Sequence, residues 1–115
     1  MIYELREYVA VPGAVGALHA RFADHTFGLF ARHGLDVIGY WADRDDADRI
    51  VYLLSFTDAA AQRAAWEAFL ADPEWQRVKA DSEADGKIVA EMHSRTLDRT
   101  PYWPHETIRA AADHD

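Results

Sequence analysis

His25, Tyr40, Tyr52 and Arg6 are the side chains here best suited to move a proton, or to hold developing negative charge, beside apolar neighbours. A histidine titrates near neutrality and can act as a general base, while an arginine or a tyrosine hydroxyl can stabilise the enolate that results. The same set could activate a phenol toward oxygen. Phe22, Phe30, Trp41, Trp66 and Trp75, with His93 on the last strand, could line the site of a flat apolar ligand. Such sites are mostly apolar with a few aimed polar groups. The competing reading makes the aromatics simply the core and His25, beside an apolar helical stripe, a hydrogen-bonded structural residue.

Glu4, Arg6, Glu91, His93 and Arg95 form a second constellation. They fall on the first and last strands, expected to be neighbours, so they could meet on one face as an ion-pair network or, alternatively, in catalysis. Metal binding has little support. The six histidines include no helical pair four residues apart, and without cysteine a site would need carboxylates. The serines have no glycine elbow, and no glycine-rich loop could cradle a phosphate. No cofactor is called for.

The elements that must position these residues follow from patterning. Residues 2–11 read as a strand, with Tyr3, Leu5, Glu7 and Val9 on one face and Ile2, Glu4, Arg6 and Tyr8 on the other; Pro12 and Gly13 stop it. A helix over 14–33 carries the stripe Val15, Leu18, Phe22, Leu29 and Phe30 and ends at Gly34. Gly28 inside it predicts a close backbone approach or a local bend. Residues 37–41 and 49–56 form a hairpin, with Val37, Gly39 and Trp41 on one face and Ile38 and Tyr40 on the other. Asp58 caps a helix over 59–70, and Asp72-Pro73 breaks it and starts a second piece over 74–85 that Gly86 ends. The last strand spans 87–97, and the proline-broken aromatic tail 98–104 should pack against something. From His105 on, a polar, alanine-rich tail reads as a frayed helix.

Strand, helix, strand, then strand, helix, strand is the split βαβ order. It predicts an α+β, ferredoxin-like βαββαβ fold with a four-stranded antiparallel sheet of order 4-1-3-2 and both helices on one face. The hairpin is apolar on both faces, so the uncovered side needs a partner. A second copy of the chain is the expected partner, the two sheets closing a dimeric α+β barrel.

The opening Met1-Ile2-Tyr3-Glu4-Leu5-Arg6-Glu7-Tyr8 with Pro12-Gly13, then Arg32-His33-Gly34, Gly39-Tyr40-Trp41, Asp72-Pro73-Glu74-Trp75-Gln76 and Thr100-Pro101-Tyr102 together resemble the NIPSNAP family of dimeric α+β-barrel proteins. The similarity runs to Pro104, making 1–104 the domain and 105–115 a tail. It implies the fold and the dimer but no reaction. Relatives with this barrel include cofactor-independent monooxygenases, haem-degrading enzymes and muconolactone isomerases. Asp48, Tyr52 and Leu54 stand where the usual pattern has Asn, His and Trp, so chemistry resting on that histidine does not carry over.

A chain of 115 residues, half of them hydrophobic, is a single globular domain. Its formal charge of −8 argues against nucleic acid or an anionic membrane as main partner. No apolar run spans a bilayer, and the expected setting is cytoplasmic. Three function classes remain: a small cofactor-independent monooxygenase or isomerase acting on an apolar, aromatic metabolite; a non-catalytic ligand-binding dimer; and a structural interaction module. The enzyme is the reading carried forward.

Overall fold

The computed structural model describes residues 1–104; the expected frayed helix of the tail lies outside the described residues. Four strands, β1 (Ile2–Ala10), β2 (Asp36–Ala42), β3 (Arg49–Phe56) and β4 (Val89–Asp98), form one antiparallel sheet in the order β2-β3-β1-β4. This is the expected order read from the other edge. Helical segments α1 (Val15–Arg21), α2 (Phe27–Arg32), α3 (Ala59–Ala71) and α4 (Pro73–Ser82) make up the two helical connections.

The caps behave as their residue types require. Asp58 accepts from the Ala61 N–H at 2.8 Å, and Asp72 from the Glu74 N–H at 2.8 Å with Pro73 at the first helical position. His33 Nε2 lies 2.6 Å from Asp72 Oδ2, tying the end of α2 to the start of α4. The α4 helix ends at Ser82, three residues before the expected stop, in a turn over 83–85.

Two local irregularities depart from the expected pattern. The helix over 14–33 is interrupted between α1 and α2 by a π turn at Phe22–Thr26, where the Phe27 N–H reaches back to the Phe22 carbonyl. Gly28 follows that bend, and a Cβ there would meet nothing within 4 Å, so no neighbouring backbone explains it. In β2 the register slips between Val37 and Gly39, leaving Ile38 as the extra residue of a bulge. Val37 opposite Leu54 therefore shares the helix-facing side with Tyr40 opposite Tyr52, while Gly39 and Trp41 face away. The expected grouping of Val37 with Gly39 and Trp41 is corrected by that one residue. A Cβ on Gly39 would strike the ring end of the exposed Trp41 side chain, which would have to swing aside.

The core lies under the helices. Ile50, Tyr52 and Leu54 of β3 are fully buried beneath Leu18, Phe22, Leu29, Phe30 and Phe69. On the opposite face Leu5, Val9, Val51 and Leu53 are partly exposed and Trp41 is exposed, so that side of the sheet is apolar but incompletely covered. Among the described residues no helix is long and apolar enough to cross a membrane.

Because Gly28 occupies open helical surface, Gly28→Ala should raise unfolding stability by about 1 kcal/mol, read from denaturant midpoints at unchanged slope. Gly39→Ala should destabilise in the same assay, since the Trp41 ring has to move.

Candidate functional site

Alternation along β1 places Glu4, Arg6 and Tyr8 on the helix-facing side at two-residue spacing, with Arg6 opposite Tyr52 on β3 and Ser94 on β4. Glu4 is buried, and its carboxylate accepts four hydrogen bonds. Gln62 Nε2 at 2.9 Å and Trp66 Nε1 at 2.8 Å reach Oε1; Ser94 Oγ at 2.7 Å and Arg6 Nη1 at 2.8 Å reach Oε2. Burial raises the Glu4 pKa, but hydrogen bonds from Gln62, Ser94, Arg6 and Trp66 outweigh it, and the carboxyl titrates below its ordinary value.

Arg6 continues the network. Its Nε donates to the Tyr52 hydroxyl at 2.9 Å and its Nη2 to the Tyr8 hydroxyl at 3.0 Å, while the guanidinium carbon sits 4.3 Å from the centroid of the Trp66 ring. The Tyr8 and Tyr52 hydroxyls are 2.8 Å apart, so one donates to the other. Either hydroxyl can be the donor of that bond; Tyr52 is fully buried, and when it donates, the Tyr8 oxygen is the acceptor. The Tyr8 proton is then left for an acceptor on the open side. Burial, followed by the neighbouring Tyr8, pushes the Tyr52 pKa well above the phenol range. Arg6 remains a cation: burial opposes its charge, but Tyr8, Tyr52 and Glu4 favour it.

The open side is a cavity of about 790 Å³ between the sheet and the helices. Glu4, Arg6 and Tyr8 form its floor, and Phe22, Phe30, Trp66, Phe69 and Trp75 its aromatic wall. Met92 on β4 and Leu70 on α3, both more than half exposed, border it, together with Arg63, Lys79 and Lys87. The end of α1 contributes Arg21, and the π turn contributes Phe22 and Thr26. Leu18, Arg21 and Phe22, all buried, follow regular helical spacing, and beyond them the Thr26 hydroxyl donates to the Arg21 carbonyl at 3.2 Å.

Of the residues proposed from sequence, Arg6, Phe22, Phe30, Trp66 and Trp75 line the cavity, and Tyr52 supports its floor from beneath. Tyr40 stacks on Tyr52 with ring centroids 5.6 Å apart; its hydroxyl is buried with no hydrogen-bond partner among the described residues, and burial raises its pKa. His25, Trp41 and His93 are not brought to the cavity. His25 is exposed on a groove beside Asp24, Arg77 and Asp81. Trp41 lies on the opposite face of the sheet, 53% exposed. His93 stands opposite Glu7, not Arg6, so the second constellation divides between the faces: Glu4 and Arg6 are inside, His93 is outside and 3.7 Å from Glu91.

Sequence reasoning missed Tyr8, Gln62, Ser94 and Arg21 as site residues. A usable signal existed for two of them. Tyr8 continues the Glu4, Arg6 alternation, and Arg21 is a cation three residues after Leu18 on an apolar stripe.

The Glu4 and Arg6 side chains are 4% and 12% exposed, so Glu4→Gln strands a buried cation and should cost about 3 kcal/mol in urea denaturation at neutral pH. The Glu4 carboxyl is depressed below 4.5 in the folded chain. Its stabilisation is therefore complete above that pH and lost as pH falls through the folded value, an acid limb that Glu4→Gln should lack in stability-versus-pH curves.

With this geometry in place, similarity to known proteins can be weighed. The NIPSNAP family model matches residues 3–104. An uncharacterized NIPSNAP domain protein from Burkholderia xenovorans superposes with a TM-score of 0.78 at 21% identity, covering 90% of this chain and 99% of that one. A NIPSNAP family protein from Agrobacterium tumefaciens gives 0.79 at 15% identity, covering 90% and 97%. A structure titled as an antibiotic biosynthesis monooxygenase gives 0.61 at 16% identity, covering 88% and 100%. Among curated proteins none matches. At these identities the solved structures establish the fold alone.

Proposed function

The chain belongs to the NIPSNAP family, and from that premise we propose that it binds a flat, apolar, oxygen-bearing metabolite between sheet and helices. It acts there as a cytoplasmic, cofactor-independent enzyme of monooxygenase or isomerase type. One observation carries this reading: the Tyr8 hydroxyl is held by Arg6 and Tyr52 at the floor of an aromatic-walled cavity, and with Tyr52 as donor of their bond its own proton is available to a ligand. A carbonyl or phenolic oxygen accepting that bond would have the Arg6 cation directly behind it. Charge developing on that oxygen, as enolate or phenolate, is then stabilised by groups that need no reorganisation. Enolate or phenolate formation is common to isomerisation and to the activation of a phenol toward oxygen. The fold likeness to an antibiotic biosynthesis monooxygenase is compatible with this and adds only analogy.

A second reading is favoured by a separate observation. Glu4, the carboxylate nearest the floor, is occupied by four donors, Glu83 is paired with Arg21, and His25 and His93 lie elsewhere, which leaves only the bordering Glu67 and Glu91 as carboxylates beside the cavity and no base at its floor among the described residues. On that reading the chain binds its ligand without turning it over. Exposure of Trp41 and partial exposure of Leu5, Val51 and Leu53 support homodimerisation through the open sheet face.

Quenching of tryptophan fluorescence by 2-naphthol should report binding, because Trp66 and Trp75 line the cavity. Tyr8→Phe should weaken it about tenfold. Unquenched fluorescence, or equal affinity in Tyr8→Phe, refutes the cavity reading. Chemical change in small molecules recovered with the protein, followed by mass spectrometry, separates enzyme from binder. Light scattering should give a dimer mass that Leu53→Glu reduces to that of a single chain.

A further inference from the structure

We infer that the cavity's ligand carries a carboxylate in addition to the oxygen held at Tyr8, and that Arg21 is the residue selecting for it. The inference rests on the cavity reading above and names the class of molecule: an aromatic or similarly flat hydroxy or keto acid.

Charge is the first ground. The chain carries 20 acidic and 12 basic residues, yet five of the basic ones border this cavity against four of the acidic. The border of this cavity thus carries a slight positive excess on a chain that is acidic as a whole. Arg6 is matched by Glu4 at the floor and Arg21 by Glu83, which leaves Arg63, Lys79 and Lys87 against Glu67 and Glu91 at the rim.

Arg21 itself is the second ground. Its side chain is 6% exposed, an expensive position for a guanidinium that is not fully hydrogen-bonded. Only Nη1 is engaged among the described residues, by Ser82 Oγ at 3.2 Å and Glu83 Oε2 at 3.3 Å, both long for charge-assisted bonds. Nε is buried with no partner among the described residues. The guanidinium carbon lies 5.3 Å from the centroid of the Trp75 ring, another cavity wall. A planar five-donor fork with unused N–H groups matches a carboxylate better than any neutral acceptor does.

Local backbone geometry is the third. The π turn begins directly after Arg21, and its residues Phe22 and Thr26 border the cavity beside it. Such turns are rare and cluster at functional sites.

The test compares two probes on the full chain at neutral pH: 2-naphthol and 6-hydroxy-2-naphthoate, alike except for the carboxylate. Wild type should bind the acid about tenfold more tightly, and Arg21→Met should bring the ratio of the two affinities to about one, whatever it does to 2-naphthol binding itself. Arg21→Lys should keep part of it, and added salt should weaken only the acid. If wild type binds the two probes equally, the inference fails and the cavity reading stands; if neither binds, both fail. A preference that survives Arg21→Met removes Arg21 from the role. The wild-type comparison decides the ligand class even if Arg21→Met does not fold, and Arg21→Lys then tests the residue.

Discussion

A carboxylate taken out of water has to find donors on every side, and Glu4 meets this requirement with groups drawn from three elements. Arg6 comes from its own strand, Ser94 from β4, and Gln62 and Trp66 from α3. Four donors come close to saturating its acceptor sites, so α3 cannot shift over the sheet without stranding a buried charge. Pairing with Arg6 does not by itself stabilise the fold strongly, since desolvating both ions offsets most of their attraction. Its consequence is position. With Nη1 held by Glu4, the rest of the Arg6 guanidinium is aimed at Tyr8 and Tyr52, and the cavity floor is organised before any ligand arrives.

Aromatic packing extends this arrangement outward. Tyr52 meets Tyr8 and Phe22 edge-on with ring centroids 5.5 Å apart in each case, and Phe30 bridges to Trp66 and Phe69. Each ring thus serves the core on one side and the cavity on the other. The question whether these aromatics are core or site has the answer that Phe22, Phe30 and Trp66 are both, while Trp41 is neither. The π turn and the bulge at Ile38 are single-residue departures from regular geometry with effects on whole faces. One moves the buried position from His25 to Thr26, and the other puts Val37 under the helices and Gly39 and Trp41 on the open side.

Much of the fold was legible because its signals are local. Asp58, and Asp72 with Pro73, cap helices through bonds to residues two or three positions away, and a cap needs no knowledge of the rest of the chain. Strand limits and sheet order followed from period-two patterning and the split βαβ rule. Irregular backbone was less legible, because one inserted residue reverses the facing of its neighbours without changing composition. His25 was misplaced for a related reason: beyond the π turn, the stripe drawn from Val15 to Phe22 no longer continues through residue 25 with regular spacing. His93 was grouped with Arg6 on strand adjacency alone, although register pairs Arg6 with Ser94.

By itself, the sequence determined which residues form strands and helices, where the helices are capped and broken, and that Glu4, Arg6 and Tyr8 share one face. These depend on intrinsic dihedral preferences and side-chain periodicity, both carried within a few residues. Tertiary structure alone decided that Gln62, Trp66, Ser94 and Tyr52 close around that face, that Arg21 joins them, and that His25 and His93 stay outside. Those meetings join residues tens of positions apart, and they depend on register and on a π turn whose energetic support is the packing of the whole.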